Sequence, residues 1–242
     1  MSRREQTGLA DEFAPILPGP GASDYERYLR TDELLALQKR PEERSHHDEL
    51  LFQTVHQSSE LWLKLAAEEF ETTTACLERG DIRAALRLLR RSALCLQLIT
   101  AQLDMLELMS PWEYTSVIRP VLGHGSGFDS PGWNALRRAA PGLDEAFNTL
   151  RRGAGLSLLE LHRRGREFED LYQLAEALIE VDERATLWRV RHFKVVERII
   201  GAEVVGTQGT PVELLGGLIH RSLFPELWRV RNELTELAKE SD

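Results

Sequence analysis

The segment SHHDELLFQTVHQSSELWLK, residues 45–64, carries the pattern that decides the fold. Ser45, followed three residues later by Asp48, has the spacing of a capping box and predicts the start of a helix. Apolar side chains then recur along one helical face, and His56 stands one turn after Phe52 on that face. A core helix gains nothing obvious from an imidazole beside a phenyl ring. A pocket for an aromatic ligand that forms hydrogen bonds would use both.

The rest of the chain is also dominated by helical periodicity, with no convincing strand alternation. We expect helices over about 48–77, 81–108 and 182–200, and two or three helices within 133–180, broken at Pro141-Gly142 and at 153–155. Terminal helices follow. Residues 1–22, which end in prolines and glycines, are predicted to be a flexible segment before a single domain over 23–242. The predicted fold is an all-α bundle of long helices.

Composition excludes several classes of function. A hydrophobic content of 42% and a charged content of 29% are those of a globular protein, and the net charge of −9 argues against nucleic acid or an anionic membrane as a partner. No apolar leader or membrane-length apolar run is present. Cys76 and Cys95 do not form a CxxC pair and are predicted to be reduced thiols. We therefore expect a cytoplasmic protein.

A second informative segment is LWRVRHFKVVERIIG, residues 187–201. His192 lies on its apolar stripe, four residues after Trp188. A lone histidine on such a stripe is more often a core residue with a satisfied ring nitrogen. The alternative is a metal ligand, most simply an axial ligand to haem iron. His56 lies on the apolar face of another helix, and the presence of two such histidines weakens the explanation that each is a core residue. Cations that could meet haem propionates flank the stripe: Arg189, Arg191, Lys194 and Arg198.

Two glycine-rich loops, 123–132 and 206–211, could bind a small charged group. Their backbone N–H groups and hydroxyls suit a carboxylate or an ammonium group. Taken alone, such loops are more often plain turns.

Three segments together resemble the tryptophan 2,3-dioxygenase family. Residues 46–64 resemble the family signature, residues 187–201 resemble its haem-ligand helix, and FPELWRVR at 224–231 resembles its C-terminal stretch. They occur in the family's order and cover the N-terminal half and the last quarter of the chain.

The resemblance implies an α-helical protein that holds haem b, is usually a homotetramer, and acts on L-tryptophan or a derivative with O2. It implies His192 as the proximal iron ligand with Trp188 beside the cofactor, and His56 as the distal residue that faces the indole N–H. The other positions that match substrate-binding residues of the family are Phe52, Tyr114, Arg119 and Thr207, with Tyr25, Tyr28 and Leu29 from an N-terminal segment that reaches into a neighbouring subunit's pocket.

The chain departs from the family at several places. Tyr114 and Arg119 are one residue further apart than in the family, and on an α-helix this adds about 100° to their separation, which would turn at least one away from a shared ligand. The family's GTGGSSG loop appears as GTQGTP at 206–211. In the family, a Tyr-Arg pair follows the loop that corresponds to residues 123–130. In this chain, Pro-Gly-Trp-Asn at 131–134 replaces that pair. The segment from there to the second histidine helix is short, so part of the cap over the pocket should be missing or rebuilt.

The leading functional prediction is a haem-dependent oxygenase that converts the indole of tryptophan, or of a substituted tryptophan, by dioxygenation to an N-formylkynurenine. One alternative is a haem-dependent monooxygenase that forms a hydroxylated indole or a 2-oxindole in a biosynthetic pathway. A further alternative is a haem-binding sensor without catalysis. An interaction bundle without any cofactor would instead contain two buried structural histidines.

Overall fold

Helices make up the regular structure in the computed structural model, which describes residues 14–206, 208–209 and 211–240. The helices are α1 (Asp24–Leu29), α2 (Thr31–Leu35), α3 (Glu49–Glu78), α4 (Ile82–Leu106), α5 (Pro111–Glu113), α6 (Arg119–Val121), α7 (Pro131–Gly153), α8 (Leu158–Arg163), α9 (Glu169–Ile200), α10 (Glu213–Leu218) and α11 (Pro225–Glu240). In these ranges the one strand-like pairing is a bridge between Val205 and Pro211, so the all-α prediction is confirmed. No single described helix is long and apolar enough to cross a membrane, although the bent pair Ile82–Leu106 and Pro111–Val121 passes that test by length and composition.

Contacts divide the chain into two compact units, residues 1–50 and 51–242. In the first unit, α1 opens with a capping box in which the side chains of Ser23 and Glu26 each bond to the other's backbone N–H. This closes the start of a six-residue helix that buries no side chain. The predicted domain boundary after residue 22 stays a prediction.

Helix α3 begins at Glu49, and the predicted capping box before it is wrong. The buried Glu49 carboxylate accepts the backbone N–H groups of Ser45 (2.6 Å) and His46 (3.2 Å) and pairs with Lys39 (2.6 Å). An acidic side chain in the first turn therefore reaches back to the preceding loop, and the Ser45 hydroxyl is not needed as a cap. The helix ends at Glu78, within a residue of the predicted end.

The core of the second unit forms where α3, α4, α7 and α9 pack together. Helix α4 begins after Asp81, whose carboxylate accepts the N–H of Ala84 (3.0 Å). It then runs back along α3, and α9 packs along α4. Apolar side chains from all four helices, with Phe224 from the segment before α11, fill the interior: Phe70, Leu89, Leu96, Leu136, Phe147, Leu178 and Phe224.

Helix α7 continues through Pro141, so the predicted break at that proline is wrong. Proline removes one helical hydrogen bond, which destabilises an isolated helix. Here Leu136, Ala140, Leu143 and Phe147 are all buried on one side of α7. Their packing outweighs the lost bond. The other predicted interruption, at 153–155, coincides with the end of α7.

Asp182 attaches the C-terminal segment to α9. Its buried carboxylate accepts the backbone N–H groups of Leu223 (2.9 Å) and Phe224 (3.0 Å) and the indole N–H of Trp228 (2.9 Å). These bonds satisfy donors at the start of α11, which no intrahelical acceptor can reach. The FPELW motif is thus explained by its contact with the helix that carries His192.

Candidate functional site

A cavity of about 250 Å³ lies within the second unit, among α3, α7, α9 and the segment around α5 and α6. This is many times the roughly 30 Å³ of one water molecule and is on the scale of a small ligand. A small apolar cluster adjoins the site: Val55, Leu103, Leu106, Met109, Ile118, Val195 and Ile199. The lining is mainly apolar, and its ionisable side chains are few: His56, Tyr114, Arg119, Arg137, Arg189 and His192.

His56 presents a hydrogen-bond acceptor to this cavity. Its ring stacks on Phe52 with 4.0 Å between centroids, and its Nδ1 lies 2.7 Å from the Phe52 carbonyl oxygen. A carbonyl can only accept, so Nδ1 carries the proton and Nε2 keeps its lone pair. Although the ring retains exposed surface at the cavity, desolvation lowers the pKa of His56, against smaller opposing effects of Phe52 and Glu60. The imidazole is therefore neutral at pH 7.

His192 lines the same cavity from α9 and stacks on Trp188 with 4.8 Å between centroids and 9° between ring planes. Neither of its ring nitrogens has a hydrogen-bond partner among the described residues. Burial, and secondly the nearby His56, lower the pKa of His192 to about 4. A core histidine would be expected to satisfy a ring nitrogen. His192 instead offers a neutral imidazole lone pair, which is what a metal ion needs.

Trp188 carries an orphaned donor in the cavity wall. Its indole N–H is buried without a hydrogen-bond partner among the described residues. More than nine in ten buried polar groups have a partner. The unpartnered imidazole of His192, between apolar walls, fits a flat apolar group that carries a metal. Haem has this chemistry.

A π-helical turn, Tyr114–Ile118, changes the expectation for Tyr114 and Arg119. The backbone N–H of Arg119 donates to the carbonyl of Tyr114, five residues earlier. A turn closed over five residues absorbs the extra residue. Both side chains line the cavity, so the expectation that one turns away is wrong. Burial raises the pKa of Tyr114, which keeps its hydroxyl protonated and able to donate.

The two glycine-rich loops are joined beside the cavity. The amide nitrogen of Gln208 donates to the carbonyl of His124 (3.1 Å) and to the carboxylate of Asp129 (2.6 Å). The guanidinium of Arg119 donates to the carbonyl of Val205. Gln208 stands where the family's motif has glycine, so this side chain connects the loops in a way that a glycine could not.

Six predicted site residues meet at the cavity: Phe52, His56, Tyr114, Arg119, Trp188 and His192. Three other predicted site residues belong to α1 in the first unit. They are Tyr25, Tyr28 and Leu29, whose exposed fractions are 68%, 78% and 45%. Thr207 lies outside the described residues, although its neighbours Gly206 and Gln208 line the cavity. Trp133 and Arg137 also line the cavity and were not predicted as site residues; their four-residue spacing places them on one face of α7.

Comparison with known proteins gives concordant matches. The sequence profile of the family described as Tryptophan 2,3-dioxygenase matches residues 18–139 and 145–234. Proteins named tryptophan 2,3-dioxygenase are similar: that of Caulobacter vibrioides is 33% identical over 87% of this chain and 98% of its own length, and that of Erythrobacter litoralis is 32% identical with the same coverage. That of Bacillus thuringiensis subsp. konkukian is 32% identical over 87% of this chain and 92% of its own. The Caulobacter alignment spans 261 positions, more than the 242 residues of this chain, so the relative has positions without a counterpart here.

Proposed function

The chain belongs to the tryptophan 2,3-dioxygenase family of oxidoreductases, and we propose that it is a haem-dependent enzyme that uses O2 to open the indole ring of L-tryptophan or a substituted tryptophan. With tryptophan the product would be N-formylkynurenine. The observation that carries this proposal is the meeting of two neutral imidazoles from α3 and α9 at one apolar cavity. His56 offers a fixed acceptor there, and His192 offers unpartnered ring nitrogens.

His192 is the proposed ligand to haem iron. Its neutral imidazole has a free lone pair, and stacking on Trp188 fixes the plane of the ring. A bound haem b would supply the iron at which O2 reacts, and the protein supplies position and surroundings.

The substrate's indole would be oriented by α3. The Nε2 of His56 accepts the indole N–H, because its Nδ1 proton is already committed to the Phe52 carbonyl. The Phe52 ring lines the same wall and limits the tilt of the indole. Orientation of this kind is the main catalytic contribution of side chains that do not react.

Arg119 and Tyr114 are the proposed partners of the substrate carboxylate. A guanidinium has five N–H donors, and the bond to the Val205 carbonyl leaves enough for a two-pronged contact with a carboxylate. The protonated Tyr114 hydroxyl can add a third donor. Thr207, which the resemblance places beside the substrate ammonium group, stays part of this proposal.

The geometry favours transfer of both oxygen atoms over the single-oxygen alternative. The single-oxygen alternative assumes that Tyr114 or Arg119 turns away from the substrate and that part of the cap over the pocket is missing. The π turn keeps Tyr114 and Arg119 at the cavity, and Gln208 links the two loops beside it.

A homotetramer is proposed for the assembled enzyme. Tyr25, Tyr28 and Leu29 expose apolar surface on α1, and such surface is typical of contacts between chains. Native mass spectrometry should show four chains, and replacing Tyr25 and Tyr28 together by serine should lower that number. A wild-type protein that is monomeric at micromolar concentration would refute this part of the proposal.

Product mass tests the central proposal. The protein is loaded with hemin, reduced, and supplied with L-tryptophan and 18O2. Two labelled oxygen atoms in the product support dioxygenation, and one supports the monooxygenase. Haem binding without any product would support a sensor. His192→Ala should remove the axial-imidazole character of the Soret band, while the exposed His220→Ala should not; failure of the protein to bind haem would refute the proposal.

A further inference from the structure

The cations of α9 divide into two groups that differ in their partners. Those directed away from the cavity are paired: Arg191 with Asp104 (2.6 Å), Lys194 with Glu197 (2.6 Å) and Arg198 with Glu107 (3.6 Å). Arg189 lines the cavity, and so does Arg137 from α7. No carboxylate among the described residues forms an ion pair with either of these two arginines.

Arg137 and Arg189 flank a pair of indole rings at the cavity wall. The guanidinium carbon of Arg189 lies 5.9 Å from the ring centroid of Trp133, and the Trp133 and Trp188 centroids are 4.6 Å apart. Arg137 follows Trp133 by four residues and thus shares its face of α7. The two cations therefore belong to one part of the lining, beside Trp133.

Both guanidinium groups are held in place by neutral acceptors. Arg189 Nη1 donates to the carbonyl of Arg221 (2.6 Å), and Arg137 Nη2 donates to the side-chain oxygen of Asn134 (2.6 Å). These single bonds leave further N–H donors on each group. Burial lowers the pKa of Arg189; Asp182 opposes this effect, and the charge of Arg137 adds to it. The site thus has an excess of positive charge and of donors.

An acidic ligand would pair with both guanidinium groups. Guanidinium groups match the planar geometry of carboxylates, and charge-assisted bonds are stronger than neutral ones. We propose that Arg137 and Arg189 form a carboxylate site that binds the propionates of the haem. The inference rests on the proposed function.

Esterified haem separates the carboxylate site from haem binding in general. Apoprotein is titrated with hemin and with hemin dimethyl ester, and the Soret band gives both affinities. Arg137→Gln and Arg189→Gln should each weaken hemin binding about tenfold or more, as expected for a lost charged hydrogen bond. Ester binding should be equal in all proteins. The matched control is Arg138→Gln, an exposed neighbour outside the cavity lining, which should bind hemin like the wild type.

Each contrary outcome has a distinct meaning. Equal affinity of the wild type for hemin and its ester would overturn the carboxylate site but leave the haem proposal intact. Failure to bind either porphyrin would overturn the proposed function itself. If Arg137→Gln weakens binding of L-tryptophan but neither that of tryptamine nor that of hemin, the carboxylate belongs to the substrate and the inference is wrong. Circular dichroism of the apoproteins checks folding, and Arg137→Lys, which keeps the charge, should recover part of the hemin affinity.

Discussion

Deleting Ser116 should convert the π turn into α-helix while leaving the cavity intact. Ser116 is exposed, and its hydroxyl bonds to the carbonyl of Trp112, in the same segment. After the deletion, Arg119 follows Tyr114 by four residues, and its N–H can still donate to the same carbonyl. The two anchors of the turn therefore keep their mutual hydrogen bond.

Helix geometry sets the size of the contrast. At about 100° per residue, positions four apart on an α-helix differ by about 40°, whereas positions five apart differ by about 140°. Inserting one alanine after Ser116 into the existing turn would rotate Arg119 by about 100° and shift its Cα by about 3.5 Å around a helix of radius ~2.3 Å. The deletion should keep both side chains at the cavity, and the insertion should remove one.

Binding of L-tryptophan to the haem-loaded protein, followed in the Soret band, is the assay. A lost hydrogen bond to a charged group costs about 1.5–3 kcal/mol, so the insertion should weaken binding about 10- to 150-fold. The deletion should leave affinity within about threefold, since no contact is lost. Hemin affinity serves as the internal control, because Tyr114 and Arg119 are not proposed to hold the cofactor. If deletion and insertion weaken tryptophan binding equally, the π turn is not what aligns the two residues.

Three further predictions concern the supports of the site. Asp182→Ala leaves three donors without their acceptor, so urea denaturation should show a loss of about 3 kcal/mol or more in unfolding free energy, and a loss under 1 kcal/mol would contradict the role of this carboxylate. Gln208→Gly should weaken L-tryptophan binding several-fold at unchanged hemin affinity, and an unchanged substrate affinity would mean that the loop contact is irrelevant. Since protonation would occupy the Nε2 acceptor and the pKa of His56 is lowered from 6.5, tryptophan binding should persist below pH 6.5 and fail only at lower pH. Glu60→Gln removes a charge that raises this pKa and should move the loss to still lower pH; a shift to higher pH would show that another group controls it.

The long helices could be predicted because their signals are local. Periodic apolar residues define α3, α4 and the second half of α9, and the predicted boundaries at 81 and 200 agree with the structure. The predicted start at 182 is wrong, because α9 runs unbroken from Glu169. Pro141 shows where local signals fail: the cost of a proline is local, but the packing that outweighs it comes from distant helices. The start of α3 fails similarly, because Glu49 reaches back to groups that no fixed spacing rule includes.

The site residues also differ in whether local sequence signals could place them. Phe52, His56, Trp188 and His192 lie on stripes of regular helices, so their shared direction follows from period 3.6 alone. The expectation for Arg119 assumed α-helical geometry, and one π turn was enough to reverse it. Gln208 could not be placed from sequence, because its position depends on the path of an irregular segment. Trp133 lies in the first turn of α7, and its helical face could be read from the sequence, but the packing of that face at the cavity could not.

This division suggests which parts of the site can change independently. The imidazole helices are anchored by buried neighbours, with Val55 beside His56 and Val195 near His192, so moving either histidine would disturb packing. The groups proposed to contact the substrate's amino-acid end come from the π turn and two loops joined by exposed hydrogen bonds. Exposed bonds of this kind contribute little to stability and can be exchanged at low cost. A change of preference at the amino-acid end of the substrate should therefore arise in the loops, with haem affinity preserved. Chimaeras that exchange residues 206–211 with a relative's loop should alter the preference between L-tryptophan and analogues that lack the carboxylate or the ammonium group, without altering the Soret titration.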